Sequence, residues 1–249
     1  MENNDKLKRV AAACIQMDGY FTGDFTVKRK PKKALATPAA PTPASTETIE
    51  ISADPTMMLS KIADLVRKCR KCTIGSTRLN AVPGDGNPAA RLVFVGEAPG
   101  ADEDEQGLPF VGRAGQLLEK MIIAMGLTRA EVFICNTLKC RPPENRDPKP
   151  DEIANCMPYL KKQLEAIRPE VIVALGAHAA RTLLDTDKAI GQMRGEFHEY
   201  RFSDDLPPAK LMPTYHPSYL LRNYSDDTRR RVWEDLQKVM KELGLKPKK

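Results

Sequence analysis

The chain has 249 residues, of which 41% are hydrophobic and 29% charged, a composition typical of a globular protein. No apolar run approaches the length of a membrane span, and the N-terminus lacks the apolar stretch of a signal peptide. We therefore expect no membrane partner and a cytoplasmic location, in the cytosol or at the nucleoid. The net charge of +6 is compatible with a polyanionic partner, although a charge of this size does not identify one.

Composition divides the chain into three parts. Residues 1–27 contain a short apolar stretch and several aromatic residues, which predicts an N-terminal extension with a short helix or a docking segment. Residues 28–52 begin with a basic run and continue with Pro, Ala and Thr. Such a segment has almost nothing large to bury, so a disordered linker is predicted. Residues 53–249 are long enough for one α/β domain with its own core.

Within this domain, hydrophobic periodicity predicts helices that alternate with strands. The predicted strands are short apolar runs, at 91–96, 131–136, 171–176 and 210–216. The predicted helices lie at 57–69, 113–126, 151–167, 177–184 and 226–243. Pro158 is expected to kink or interrupt the third of these helices. The alternation predicts an α/β fold with a central, mostly parallel four-stranded sheet and helices on both faces.

Four of the six cysteines are spaced like metal ligands. They form a C-x2-C pair and, after a long gap, a C-x15-C pair, and they are Cys69, Cys72, Cys140 and Cys156. Four thiolates suit a structural zinc ion or an iron–sulfur cluster, and disulfides are not expected in the cytosol. Adjacent basic residues favour a site built from thiolates. The alternative is a chance C-x2-C pair with two unrelated core cysteines.

Polar residues follow three predicted strands at the edge of the sheet where ligands bind in α/β folds. The segment 96–100 ends one strand in a Pro-Gly turn, which lets backbone N–H groups face a ligand. Asn136 ends the next strand, and its amide offers both a donor and an acceptor. His216 ends the last strand, whereas His178 and His198 have no ligand-like neighbours in the sequence. Each of these residues alone also fits a structural role.

Three longer motifs, interleaved with the cysteines, resemble one known family. They are GEAPGADEDEQGLPFVGRAGQLL at 96–118, ICNTLKCRPPENRDP at 134–148 and HPSYLLR at 216–222. Together they resemble the family 4 uracil-DNA glycosylases, a bacterial and archaeal group that carries a [4Fe–4S] cluster. The resemblance covers residues 54–243. It implies a uracil-DNA glycosylase-like fold and a monofunctional enzyme of base excision repair, which hydrolyses the N-glycosidic bond of uracil in DNA.

The resemblance assigns roles to residues of the first motif. Gly96, Glu97 and Ala98 match the segment that lines the uracil pocket and positions water, with Glu97 as the candidate that orients the water. Glu103 matches the residue that crowds the uracil C5 position and so excludes the methyl group of thymine. Phe110 matches the aromatic ring that stacks on the flipped base.

The two later motifs complete the implied site. Asn136 matches the amide that reads the pyrimidine edge, and His216 matches the histidine that faces uracil O2, so Glu97 and His216 are the predicted catalytic residues. The four cysteines match the ligands of the cluster. The predicted DNA-binding residues are Arg141, Arg146, Ser218, Leu220, Leu221 and Arg222. Either Leu220 or Leu221 is the predicted wedge in the DNA minor groove.

Two features narrow the implied chemistry, and two other classes of function stay open. Ala98 stands where glycosylases of the first family carry an aspartate, so a strong general base is not expected there. The segment 141–150 contains no histidine, which argues against a covalent bond to DNA.

The expected partner is uracil-containing DNA, single or double stranded, bound by a monomer, with residues 1–52 available to a repair or replication partner. The other classes are a non-catalytic, metal-stapled DNA-binding module and an enzyme that processes free nucleotides.

Overall fold

The computed structural model describes residues 54–203 and 205–247. The predicted extension at 1–27 and the predicted linker at 28–52 lie outside these residues. The helices are α1 (Pro55–Lys68), α2 (Ile74–Thr77), α3 (Ala101–Gln106), α4 (Arg113–Ala124), α5 (Pro150–Ile167), α6 (Ala177–Leu184), α7 (Ile190–Met193), α8 (Pro217–Arg222) and α9 (Asp226–Leu243). The strands are β1 (Asp85–Gly86), β2 (Leu92–Gly96), β3 (Phe133–Asn136), β4 (Val171–Leu175), β5 (His198–Tyr200) and β6 (Ala209–Thr214).

One six-stranded mixed sheet organises these elements, in the order β1-β3-β2-β4-β6-β5. The four inner strands pair in parallel, and they are the four strands predicted from the sequence. The prediction of a mostly parallel central sheet is therefore confirmed, but the count of four strands is wrong. The edge strands β1 and β5 pair antiparallel with their neighbours and contain 2 and 3 residues. Strands this short show no alternation that a sequence pattern could reveal.

Helices cover both faces of the sheet, as the sequence predicts. Every residue of β2 and β4 is buried, which is typical of parallel strands with two covered faces. Side chains alternate between the faces, so Val93 and Val95 pack in one cluster with Leu160 of α5 and Ala179 of α6. Phe94 is fully buried but lies outside this cluster, so the opposite face is covered as well, and α9 contacts β6.

Helix α5 carries Pro158 yet continues over 18 residues without a break. A proline removes one backbone hydrogen bond from a helix. The buried residues on both sides, Tyr159, Leu160 and Leu164 among them, hold this helix against α1 and the sheet. The predicted interruption at Pro158 is therefore wrong. None of the helices in the described ranges is long and apolar enough to cross a membrane.

The connections between strands locate a crevice at one edge of the sheet. Strand β2 lies between β3 and β4, so the chain leaves β2 toward one side and later returns on the other. Ligands bind outside the carboxyl ends of parallel strands at such a switch point. Gly96 and Asn136 end β2 and β3 here, and His216 follows β6, which ends at Thr214.

Candidate active site

A cavity of about 710 Å³ opens at the carboxyl ends of the inner strands. Its volume lies within the range of about 300–1,000 Å³ that is common for small-molecule sites. Segments that follow all four inner strands contribute to its walls. The residues singled out in the sequence that line it are Glu97, Ala98, Glu103, Phe110, Asn136, Arg146, His216, Ser218 and Arg222.

Asn136 presents a buried hydrogen-bond acceptor to which no described residue donates. The residue is only 1% exposed, and its Oδ1 has no hydrogen-bond partner among the described residues. Gly96 keeps the space in front of it open, since a Cβ there would lie 2.3 Å from Oδ1 and 2.6 Å from the Phe110 ring. The buried Lys139 donates to the backbone oxygen of Asn136 at 2.8 Å and so holds the end of β3. An acceptor enclosed in this way is available to a ligand.

Phe110 supplies an apolar wall in a strained backbone conformation. Its φ of 51° is in the left-handed region, which is unusual for a bulky residue. Arg129 donates to the backbone oxygens of Pro109 and Phe110, at 2.5 and 3.2 Å, and thereby holds the turn. Gly115 allows α4 to approach, because a Cβ there would lie 2.0 Å from the Phe110 carbonyl group. Strain that neighbours hold in place is typical of a functional site.

Glu103 ties two loops of the cavity together. Its carboxylate accepts hydrogen bonds from the backbone N–H groups of Gly100, Val111 and Gly112, at 3.0, 2.9 and 2.9 Å. Both carboxylate oxygens are thus oriented by the loops that follow β2 and precede α4. The structure gives Glu103 a positioning role in the cavity wall, and its predicted contact with uracil C5 stays a prediction.

His216 is held as a neutral hydrogen-bond donor. It caps α8, and its Nδ1 accepts from the backbone N–H of Ser218 at 3.1 Å, with the Ser218 hydroxyl at 2.8 Å from the same nitrogen. This pattern assigns the ring proton to Nε2. Burial, with a smaller contribution from Arg222, lowers the pKa of His216 to about 4. The ring therefore stays uncharged at neutral pH. His216 lines the cavity, and the centre of its ring lies 5.7 Å from that of the Phe110 ring.

A second polar group lines the same cavity. Glu97 follows β2, Asp147 lies in the segment after β3, and His178 lies in the first turn of α6. Their side-chain oxygen and nitrogen atoms all lie within 4.8 Å of one another. Burial raises the pKa of Glu97, while His178 lowers it and Asp147 raises it. We refer to these three residues as the polar cluster.

The four predicted cysteine ligands come from the residue that caps the end of α1, the turn after it, the segment after β3, and α5. All four are free thiols, and Cys72, Cys140 and Cys156 pack around Ile74 and Leu138. Burial raises the pKa of Cys140, Arg78 lowers it by donating to Sγ at 2.8 Å, and the nearby thiols of Cys72 and Cys69 raise it.

The chemistry of the four donors tests which metal group they suit. The charges of Cys72 and Cys69 act on Cys140, so these thiols lie near one another. Four neighbouring thiolates can hold either a tetrahedral zinc ion or an iron–sulfur cluster. The thiols therefore fit a metal centre of the predicted kind, and the cluster itself stays a prediction.

Comparisons with known proteins agree with this geometry. Residues 83–237 match the model of the uracil DNA glycosylase superfamily. A type-4 uracil-DNA glycosylase from Saccharolobus solfataricus is 46% identical over 196 residues, which are 76% of this chain and 88% of the relative. Another from Thermotoga maritima is 47% identical over 183 residues, which are 73% of this chain and 93% of the relative. The chain belongs to the type-4 uracil-DNA glycosylase family.

A relative of a neighbouring family is more distant. A type-5 uracil-DNA glycosylase from Pyrobaculum aerophilum is 32% identical over 178 residues, which are 66% of this chain and 76% of the relative. The resemblance seen in the three sequence motifs is thus confirmed at the level of the type-4 family. In this member of the family, the predicted pocket residues other than Gly96 line one cavity, and Gly96 lies against Asn136 and Phe110.

The residues predicted to bind DNA differ in how exposed they are in this type-4 glycosylase. Leu220 is 1% exposed, so it is not accessible as a wedge, whereas Leu221 is half-buried and Arg222 is exposed. The prediction that named Leu220 as a wedge candidate is corrected accordingly. A leucine that packs inward from a helix cannot reach into a groove. Leu221 and Arg222 stay predictions.

Three further DNA-binding predictions fall on side chains that have partners within the protein. Arg146 forms a paired contact with the buried carboxylate of Glu152, at 2.5 and 2.8 Å. Arg141 donates to Asn145 at 2.8 Å. The Ser218 hydroxyl faces His216. Their contact with DNA stays a prediction, and the structure adds that Arg146 joins the segment after β3 to α5.

Sequence patterns missed several residues that the site depends on. His178 has no ligand-like neighbour in the sequence, but the fold places it beside Glu97 and Asp147. Arg129 and Lys139 support Phe110 and Asn136 through backbone oxygens. Lone basic residues and a lone histidine carry no signal of their own, since their partners are distant in sequence.

Proposed function

We propose that this chain removes uracil from DNA by hydrolysing the N-glycosidic bond, which leaves an abasic site. The unpartnered Oδ1 of the buried Asn136 is the observation that carries this proposal. Uracil would donate N3–H to this oxygen and accept from the amide nitrogen at O4. Cytosine instead presents an acceptor at N3 and a donor at N4, so neither contact with the Asn136 amide could form. Each buried polar group left unpaired would cost about 1–3 kcal/mol, which favours uracil. The type-4 relatives support the same substrate.

The base must leave the duplex before it can enter the cavity. Extrusion costs a few kcal/mol, and less at a mispair or in a single strand. Phe110 would stack on the extruded base and return about 1–3 kcal/mol, as aromatic platforms do for single strands. Glu103 supports this wall by binding the backbone on both sides of it, and it is the proposed neighbour of uracil C5.

Cleavage develops negative charge on the departing base, and His216 is placed to stabilise it. As a neutral ring with its proton on Nε2, it would donate a hydrogen bond to uracil O2 without a transfer of charge. Loss of one such donor typically lowers a rate by about 10²–10³-fold. Backbone N–H groups of the segment 96–98 would add to this stabilisation. Glu97 would orient the attacking water, because Ala98 offers no carboxylate.

We propose that Cys69, Cys72, Cys140 and Cys156 hold a [4Fe–4S] cluster. When bound, the cluster would act as a structural centre that orders the surrounding segments. Cys140 lies in the segment that follows β3, and Ala98 of the first motif packs against the cluster that contains Cys140 and Cys156. The residues after Cys140 would then form the DNA-facing surface, with Arg141 and Arg146 near the cluster and Ser218, Leu221 and Arg222 across the cavity. All of these groups come from one chain, so a monomer at the nucleoid suffices.

An Asn136→Asp variant tests the proposal through base selectivity. A carboxylate accepts from cytosine N4–H₂ and, when protonated, also donates to N3. We expect the variant to lose most excision of uracil and to gain slow excision of cytosine. The assay is alkali-revealed cleavage of single-stranded oligonucleotides that contain either one uracil or one cytosine and no uracil.

Asn87→Asp is the matched control, because its side chain accepts from Ala89 outside the cavity and an aspartate can do the same. It should excise uracil at the parental rate. If Asn136→Asp also does so, Asn136 does not read the base. If the parent cleaves no uracil-containing strand, the proposed function itself is wrong.

A further inference from the structure

The polar cluster of Glu97, Asp147 and His178 lies in the cavity but takes no part in reading the base. Three separate segments bring it together, after β2, after β3 and at the start of α6. The His178 side chain is 36% exposed and that of Asp147 is 82% exposed, so water can reach the cluster from the cavity mouth. The base-facing side chains Asn136, Phe110 and His216 are a different set.

Distances within the polar cluster suit a bound water molecule. His178 Nε2 lies 3.7 Å from Asp147 Oδ1, which is too long for a direct hydrogen bond. Water can bridge two polar groups that do not bond each other directly. With the Glu97 carboxylate also within 4.8 Å, the three side chains offer both donors and acceptors to a molecule placed between them. Water is the one reactant, besides DNA, that the proposed hydrolysis requires.

We propose that Asp147 and His178 complete, with Glu97, the site that binds the attacking water. This inference rests on the proposed function. The water oxygen would form the new bond to C1′ of the deoxyribose while the bond from C1′ to uracil N1 breaks. The electron pair of that bond leaves with the uracil anion, and the proton of the water passes to the Glu97 carboxylate. Asp147 and His178 would orient the water so that its lone pair faces C1′.

The charged groups around Glu97 predict how the rate of excision should depend on pH. Glu97 must be ionised to accept a proton, so the rate should fall at low pH as its carboxylate becomes protonated. The charged groups that act on it are His178 from α6 and Asp147 from the segment after β3. His178 lowers the pKa of Glu97. Replacing His178 should therefore move the acid limb, the low-pH side of the pH–rate profile where the rate falls, to higher pH. Because Asp147 raises that pKa, its removal should move the limb to lower pH.

The test measures single-turnover excision of uracil from a single strand as a function of pH, from neutral pH down to the acid limb of the pH–rate profile. The proteins are the cluster-containing parent, His178→Gln and Asp147→Asn. We expect each variant to be slower than the parent at neutral pH by about tenfold, less than the 10²–10⁴-fold that is typical of a full general base. The acid limbs should move in opposite directions, which a merely structural role would not produce.

His198→Gln is the matched control, because His198 bonds the Met193 backbone oxygen at 3.0 Å and does not line the cavity. It should keep the parental rate and acid limb. Limbs that stay in place, or that move in the same direction in both variants, would overturn the inference. Should His178→Gln fail to fold, Asp147→Asn decides alone, since its exposed side chain is not needed for packing. A parent that does not excise uracil would instead refute the proposed function.

Discussion

The two ring nitrogens of His216 have separate tasks. Nδ1 accepts the backbone N–H of Ser218 and so caps α8, while Nε2 carries the proton of a ring that lines the cavity. Burial keeps the ring neutral by lowering its pKa to about 4. A neutral donor avoids the cost of burying a charge and still stabilises an anion as it forms.

Replacing His216 with asparagine separates these two tasks. An asparagine can also cap the helix, so folding should be kept. It cannot place a donor where Nε2 lies, so we expect single-turnover excision to fall by about 10²-fold while DNA affinity changes little. Excision and binding are measured on the same uracil-containing strand. A rate within about threefold of the parent would show that His216 does not stabilise the leaving base.

At the scale of elements, the short helix α8 separates the roles of two adjacent leucines. Leu220 is buried, and Leu221 next to it is half-buried. Neighbouring residues of a helix point about 100° apart, so one packs while the other faces outward. The buried Leu220 therefore serves as the control for Leu221, the proposed wedge.

We expect Leu220→Ala and Leu221→Ala to fail in different assays. Leu220→Ala should lower the free energy of unfolding by about 2–5 kcal/mol, as truncations of buried leucines do. Leu221→Ala should leave stability nearly unchanged but slow excision from a duplex more than from a single strand, where no stacked pair must be opened. Denaturant unfolding and excision from both substrates give the two readings. Equal excision of both substrates by Leu221→Ala and the parent would remove Leu221 as the wedge.

The cysteine-bearing elements depend on one another through the proposed cluster. Removal of one ligand disrupts a metal site as a whole, and a structural site contributes directly to folding. We expect Cys140→Ala to lose iron and to melt at a lower temperature than the parent. Cys135→Ala is the control for iron content, because Cys135 is a buried core thiol of strand β3 and is not one of the four proposed ligands. Elemental analysis and thermal unfolding provide the measurements, and full iron content with unchanged melting in Cys140→Ala would contradict the prediction.

At the scale of the whole molecule, the described residues contain the cavity with its lining residues and all four proposed cluster ligands. Helix α1 begins at Pro55, and its buried face packs on α5. The family match at 83–237 also begins well after the linker predicted at 28–52. The catalytic unit should therefore not require the first 51 residues.

A truncated chain that starts at Ser52 tests this division. We expect it to fold and to excise uracil at the parental rate. Its DNA binding should be weaker at low salt, because the basic run KRKPKK is removed and fewer phosphate contacts release counterions. The difference should shrink as salt is raised. Loss of all excision would show that the N-terminal residues belong to the catalytic unit.

The sequence revealed most of the architecture because local periodicity determines local structure. The four inner strands are continuous apolar runs, and each is followed by a helix, so their parallel order follows from the pattern. The edge strands β1 and β5 are too short for such a pattern, and their pairing depends on neighbours already in the sheet. Pro158 shows the limit of a local rule, since tertiary packing keeps α5 continuous around it.

The sequence by itself determined the family, the pocket motifs and the four cysteines, because these depend on residue types at set spacings. Only the tertiary structure decided which side chains meet. It placed His178 beside Glu97 and Asp147, turned Leu220 inward, and paired Arg146 with Glu152. The physical reason is that burial and close contact arise between segments distant in sequence, where short-range patterns carry no information. The pKa of His216 and the unpartnered oxygen of Asn136 are properties of that packing alone.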